Sequence, residues 1–410
     1  MTGTRNNSAV AYLVGRFPLV TETFVLRELG AVADRMPFPI ELFALRRGRC
    51  RAMHPMASRW VAQVGSIPRG CLELLRLALT RPRVVAGVIR DVLSDYWRDP
   101  RVLLKELGVV VLAASFVPAI RGRRVAHVHA HFATEPAEAA RALAAFTGVT
   151  YSVTAHAYDL FMDTRGLDRR LVGARFVACI SEYNRRFLEA RNAALDCPLV
   201  HCGVPASEMR RPAHAPRAES TRLIMVSSFQ AKKGHSVLVE ALRDSPALQS
   251  VRLELVGSGP LEPEIRSLVL RAGLGDRVTF HGDQPEDAVR EMVAASDVLV
   301  QPSVRAADGD MDGIPCALIE AMALGIPVVT TSVSGIPELV TDRVTGLVVR
   351  PGDSEALAAG LQKVIEDPEA ARRRAAAGLA KVGAEFDIAD SGAAMATLLE
   401  RTLKPASPSR

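Results

Sequence analysis

The segment Asp297–Val340 restricts the fold more than any other part of the chain. An apolar run, Val298–Val300, ends at Pro302-Ser303 and reads as a short buried strand. A loop of small and acidic residues follows, from Ala306 to Gly313. Pro315 suits the first turn of a helix, where its missing N–H costs nothing. Gly325 closes that helix and Pro327 leads into a second strand, Val328–Thr330. Strand, loop, helix and strand make one unit of an open parallel sheet, where ligands bind beyond the carboxyl ends of the strands. The helix start offers amides and the positive end of a dipole, which suits phosphate. Two acids bracket it: Asp312 in the loop and Glu320 on the helix. Glu320 sits within CALIEAMAL, and a carboxylate among apolar neighbours needs a partner or a polar crevice. A phosphate with hydroxyl-bearing groups on either side, next to the two acids, describes a nucleotide sugar.

The stretch DGIPCALIEAMALGIPVV resembles the E-x7-E segment of the family 4 glycosyltransferases. The resemblance implies an α/β, GT-B fold: two facing doubly wound (Rossmann-like) domains with an interdomain cleft. It implies retaining transfer from a nucleotide-diphosphate sugar, with no metal and no other cofactor. Asp312 stands where the family has its first Glu, one methylene shorter, and is expected on the transferred sugar. Gly313, Ile314 and Pro315 are expected along the diphosphate, and Glu320 on the ribose. The DGIP form resembles the branch acting in exopolysaccharide, capsule and colanic-acid-type synthesis; related enzymes make small glycosylated metabolites.

Other segments extend the resemblance. The strand Val10–Val14 runs into Gly15, and the loop GRFPLVTET resembles the family's FP-x-x-x-ETF opening. Gly15 and Arg16 are candidates on the donor side and Glu22 on the acceptor side. His156, past the strand Tyr151–Thr154, resembles the family histidine that touches the donor sugar near its reacting carbon. Asp159 is placed to orient it, and His131 and Asp159 join Glu22 on the acceptor side. In SSFQAKKG, Lys233 matches the family's diphosphate lysine by its place before Gly234. Ser228 stands where an arginine is usual, so Lys232 or Arg16 has a phosphate charge to cover. Gly257 and Gly259 fall in GSGPL, a loop the family places by the base. It is not G-x-G-x-x-G, which speaks against a nicotinamide enzyme. Ser334–Glu338 resembles the GG-x-x-E turn, and HCGV at 201–204 the N-G-V turn that closes the first domain.

Metal binding is not expected. In VAHVHAHF, His129 and His131 are read as alternating onto opposite faces of a strand, against a joint site. Asp308-Gly309-Asp310 has the D-x-D form, but that motif belongs to a different, single-domain architecture.

At 410 residues two domains are expected. The boundaries read as 1–204, with a basic helical insertion at 46–124, a linker at 205–220, and a donor domain at 221–386. A helix and tail, 387–410, cross back to the first domain. The six cysteines, Cys50 among them, show no zinc spacing and read as reduced thiols of a cytoplasmic protein. The longest apolar run, Leu107–Ile120, is shorter than the roughly 20 residues of a bilayer span. From Arg46 to Arg124, fifteen arginines and one lysine face five acids, a net of +11 in a chain whose total is +6. With no aromatic interleaving, nucleic acid is not expected. The insertion reads as an acceptor platform or a peripheral membrane contact, and the acceptor as a lipid-linked saccharide or a soluble small molecule. Alternatives are an epimerase or phosphorylase of the same fold, or a non-catalytic nucleotide-sugar-binding protein.

Overall fold

The computed structural model describes residues 8–19, 22–48, 55–209 and 220–403. Cys50, most of the expected linker and the tail beyond Leu403 lie outside these residues. The chain divides into two compact units. The first takes the chain up to Ile180, Asn184–Val200 and the part from Ser391 onward; the second takes Ser181–Tyr183 and His201–Asp390.

The first half of the chain carries β1 (Ala9–Phe17), α1 (Thr23–Ala33), β2 (Ile40–Arg47), β3 (Gln63–Val64), α2 (Ile67–Thr80), α3 (Pro82–Tyr96), α4 (Pro100–Ala114), α5 (Val117–Gly122) and β4 (Val125–His131). It continues through α6 (Glu135–Thr147), β5 (Thr150–Ala155), α7 (Tyr158–Phe161), α8 (Leu167–Leu171), β6 (Val177–Cys179) and α9 (Glu182–Arg191). The second half carries β7 (Arg222–Val226), α10 (His235–Asp244), β8 (Arg252–Val256), α11 (Glu262–Arg271), β9 (Val278–Gly282), α12 (Glu286–Ala295) and β10 (Val298–Gln301). Then come α13 (Cys316–Ala323), β11 (Val328–Thr331), α14 (Ile336–Leu339), β12 (Leu347–Val349), α15 (Ser354–Glu366), α16 (Pro368–Glu385) and α17 (Ile388–Leu403).

Each unit holds one six-stranded parallel sheet, ordered β3-β2-β1-β4-β5-β6 and β12-β11-β10-β7-β8-β9. Both are the doubly wound order 3-2-1-4-5-6. Parallel strands are covered on both faces and so read as near-continuous apolar runs. In the first unit Leu13, Phe43, Val128 and Val153 pack beneath α4 and α6 with Val110, Phe116 and Leu143. On the opposite face Tyr12, Val14 and Leu42 pack with Val25 and Leu29 of α1 and with Met395 and Leu399 of α17.

One strand end differs from the sequence reading. β1 continues through Arg16 and Phe17, which pair with Arg46 and Arg47, so Gly15 and Arg16 lie on a strand rather than in a loop. Beyond the named strands, Leu199 adds one parallel bridge, to Cys179. Cys71, Cys179 and Cys197 are thiols outside any disulfide.

The basic insertion adds a layer. α4 lies on α6 and the sheet, and α2 lies on α4. A Cβ on Gly70 of α2 would sit 2.0 Å from the carbonyl oxygen of Val111, so only glycine permits this approach. The stretch Pro100–Gly122 is longer than the apolar run read from the sequence and is long and apolar enough to cross a membrane by length and composition. Half of its most apolar window is buried in the unit, where Val109, Val110, Ala113, Phe116, Val117 and Ile120 belong to the core.

β4 overturns one expectation. Side chains two apart on a strand project to the same side, so His129 and His131 share a face with His127. All three are fully buried. The polar side chains of β5 pair with two of them. His127 Nδ1 lies 2.7 Å from Thr150 Oγ1, and its Nε2 2.7 Å from Ser152 Oγ. His129 Nδ1 lies 2.7 Å from the same Ser152 Oγ, and its Nε2 2.9 Å from Thr154 Oγ1. Burial, with Arg175 nearby, holds His127 down to about 3. Burial first, then neighbouring histidines, hold His129 and His156 well below the ordinary histidine value. In the unfolded chain all three take protons below about 6.5. Their contribution to stability is therefore complete above that pH and is lost as pH falls toward the folded values. Each adds a slope of up to about 1.4 kcal/mol per pH unit. Urea titrations between pH 7 and 5 are expected to give a shallower slope for His127→Gln than for the parent chain; equal slopes would exclude this account.

Candidate active site

In a doubly wound sheet the crevice opens where the strand order reverses. In the second unit that point lies between β7 and β10. The loop after β7, Ser227–Gly234, meets the loop after β10, Pro302–Pro315. Gly234 has φ +73°, and a Cβ there would fall 1.9 Å from the carbonyl oxygen of Pro302. The N–H of Val304 donates to the carbonyl of Lys232 at 2.8 Å. With the backbones this close, two lysines reach two acids. Lys233 Nζ donates to Asp312 Oδ1 at 2.6 Å, and Lys232 Nζ lies 3.0 Å from Asp310 Oδ2.

Asp312 is held on its other side as well. Ser303 Oγ donates to its Oδ2 at 2.7 Å, and Gln301 Nε2 donates to Ser303 Oγ at 3.1 Å. Thr330 Oγ1 donates to the carbonyl of Gln301 at 2.8 Å, and Thr331 Oγ1 to that of Ser303. Both ion pairs are largely withdrawn from solvent, with side-chain exposure of 14% for Lys233 and 6% for Asp312. Asp308 accepts from the N–H of Asp310, so both acids of the D-x-D stretch have partners within the protein. Sequence reasoning missed Gln301 and Ser303, and weighed Asp310 only as part of a D-x-D metal motif. The signal present was two polar residues closing an otherwise apolar buried strand.

Gly313, Ile314 and Pro315 form a buried bend leading into α13. The residue before α13 is Pro315, whose side chain makes no cap bond. Glu320 is half-buried on this helix. Ser228 is half-buried. Gly257, with φ +122°, and Gly259 bring their loop against the backbone of Ser227–Phe229; a Cβ on either would lie 2.3 or 2.6 Å from those atoms. At the start of α10 His235 stacks on Phe229 and lies 3.3 Å from Ser227 Oγ. Burial, with Lys233 adding to it and Asp312 opposing, lowers it to about 4.

In the first unit His156 follows β5 and is 6% exposed. Its Nε2 lies 3.2 Å from His131 Nδ1, and Phe24 and Phe132 pack on its ring. Asp159 does not orient that ring. Its carboxylate accepts from the N–H groups of Ala133, His156 and Ala157 at 2.8, 3.1 and 2.7 Å, and it is fully buried. Asp159 therefore ties two loop backbones together, and His131, equally buried, is not offered to a ligand either. Glu22 precedes α1, half-buried, and burial raises it to about 7 against a lowering from His131. Arg16 is exposed at the end of β1.

Glu28 of α1 lies 3.3 Å from His131 Nε2 and 3.9 Å from His129 Nε2. The case against a metal drawn from opposite faces therefore fails. The fit is nonetheless poor: hydroxyls already lie against both nitrogens of His129, and the Tyr12 hydroxyl donates to Glu28 at 3.3 Å.

Residues 207–380 match the family of glycosyl transferases group 1. The putative colanic acid biosynthesis glycosyltransferase WcaL of Escherichia coli K12 is 32% identical over 380 residues, covering 85% of this chain and 88% of that protein. The chain belongs to the group 1 glycosyltransferases. This glycosyltransferase shares its fold with the sucrose-phosphate synthase of Thermosynechococcus elongatus (TM-score 0.72, 21% identity, 96% and 98% of the two chains). It also shares it with Anabaena HepE, solved in complex with UDP-glucose (TM-score 0.72, 17% identity, 96% and 99%). Two doubly wound units in one chain are the GT-B fold expected from the sequence.

The ion pairs of this glycosyltransferase are coupled to its stability. Removing one member of a withdrawn pair leaves the other charge without compensation. Lys233→Met and Asp312→Asn are each expected to cost about 1–3 kcal/mol. The double variant should fall short of the sum by about 0.5 kcal/mol or more in urea titrations, and strict additivity would show that the two groups do not interact.

Proposed function

We infer that this glycosyltransferase moves a sugar from a nucleotide-diphosphate sugar to an acceptor with retention of configuration, in the assembly of a polysaccharide or a small glycosylated product. The observation that carries the reading is the meeting of Lys232 and Lys233 with Asp310 and Asp312 at the switch point beside α13. The two ammonium groups are set in place before any ligand arrives. A diphosphate at that crevice gains charge as the glycosidic bond breaks, and preorganised donors stabilise it there without rearrangement. Asp312, fixed by Ser303, is assigned to the hydroxyls of the transferred sugar and Glu320 to the ribose. The leaving phosphate oxygen takes the proton of the acceptor's nucleophile on the face where the new bond forms. The role of His156, contact with the donor sugar, is carried from the family resemblance. That HepE was solved with UDP-glucose and that WcaL is named for colanic acid synthesis support a nucleotide-sugar donor and a polysaccharide context. The acceptor is a lipid-linked saccharide or a soluble small molecule.

Lys233 and Glu320 are expected to separate kinetically. Lys233→Ala removes an interaction that strengthens in the transition state, and turnover should drop about 10²–10³-fold at saturating donor. Glu320→Gln removes contacts whose charge hardly changes, so KM should rise with turnover largely kept. Full turnover in Lys233→Ala would remove the loop after β7 from the chemistry. Charge neutralisation by lysine and amides also predicts turnover that survives excess chelator. Activity abolished by chelator and restored by manganese would contradict this.

A further inference from the structure

We propose that the outer face of α2 docks on an anionic lipid surface. The helix is amphipathic, and the side it buries is the smaller part of its apolar content. Gly70 and Leu77 face inward. Outward stand Leu72, Leu75 and Leu79, with relative exposures of 52, 59 and 78%. Their spacing places them in one stripe along the helix, because residues three and four apart share a face. Pro68 and Ile67 extend the stripe toward the amino end, both exposed. Single exposed leucines are ordinary, but a row of them is not.

The charges around the stripe decide its partner. Between Val61 and Arg83 there are four arginines, Arg69, Arg76, Arg81 and Arg83, all exposed. The same stretch holds one acid, Glu73. It is turned inward, 6% exposed, and paired with Arg76 and Arg121 at 3.4 and 3.7 Å. The outer face of α2 thus shows leucines and cations and no carboxylate. A helix with an apolar stripe and a basic border lies in the plane of a membrane interface, with leucines among the acyl chains and arginines at the headgroups. Arginine stems also reach from such a depth to the phosphates. A protein partner with an acidic rim would match the charge, but it would need a shaped groove for three leucines in a row; a fluid anionic surface needs none. The proposal is independent of the donor reading, since vesicle binding requires neither turnover nor nucleotide.

The test uses the full chain in sedimentation with vesicles of phosphatidylcholine alone, and of phosphatidylcholine with phosphatidylglycerol. Binding is expected to the mixed vesicles and much less to the neutral ones. Each arginine near the surface should strengthen it about fivefold at low salt. Arg69→Gln with Arg83→Gln is therefore expected to weaken binding about 25-fold at low salt, and less as salt screens the charges. Leu72→Ser, Leu75→Ser and Leu79→Ser together should weaken it by about 30-fold or more at any salt. The three positions are exposed, so the thermal midpoint should hold. If the triple variant does not fold, Leu79→Ser alone, at the most exposed site, should still weaken binding severalfold. No binding to the mixed vesicles at low salt overturns the proposal. So does unchanged binding of the serine variants, or equal binding to neutral vesicles. Self-association of the parent chain that the serine variants abolish, without vesicle binding, assigns the face to a second copy instead.

Discussion

The second unit depends on a backbone contact: Gly234 lies against the carbonyl of Pro302, closer than any side chain would permit. That approach lets a loop from β7 and a loop from β10, distant in sequence, act as one wall. The lysines of the first loop reach the acids of the second because the backbones are joined beneath them. Burying four charges side by side is costly unless each is paired and hydrogen-bonded. Here Asp312 has both Lys233 and Ser303, and Ser303 is held by Gln301. Polar residues at the end of β10 are thus the foundation of the site, although none of them need touch a ligand.

The first unit uses the same strand order for a different polar arrangement. One face of its central strands β4 and β5 holds imidazoles and hydroxyls instead of aliphatic side chains, and Asp159 gathers three amides at the sheet's rim. The layer formed by α2 lies on the other side of that sheet, seated on α4 through Gly70.

Much of this was legible in the chain. The strands of the second unit are apolar runs punctuated by glycine and proline, so β10 and β11 fell within a residue of their observed ends. Asp312 and Lys233, singled out through the family resemblance, are brought within 2.6 Å of each other by the fold. What escaped depended on pairing between distant segments. β1 continues past Gly15 because Arg16 and Phe17 have partners in β2, which no local pattern announces. Asp159 looked like a partner for an imidazole because it lies three residues away, but short acids at loop starts commonly bind backbone amides. The histidines of β4 were misplaced for a simpler reason. The two-residue period puts them on one face, and the Ser152 and Thr154 that receive them were visible on the next strand.

That row of histidines has a direction. In the run Thr150–His127–Ser152–His129–Thr154, every neutral imidazole gives one proton and takes one, and so does every hydroxyl between them. Two senses let each group give one proton and take one; mixing them at Ser152 leaves either two bare nitrogens sharing one hydroxyl proton or that proton with no ring nitrogen to take it. The hydroxyl of Thr150 also has the carbonyl of Ala126 within 3.5 Å, and a carbonyl can only accept. Once Thr150 gives its proton there, it must receive one from His127 Nδ1, His127 Nε2 must receive one from Ser152, and Ser152 must receive one from His129 Nδ1. In that sense of the run, the order set at the amino ends of β4 and β5 reaches their carboxyl ends as a tautomer: His129 keeps a bare Nε2 toward Thr154, and both rings carry their protons on Nδ1.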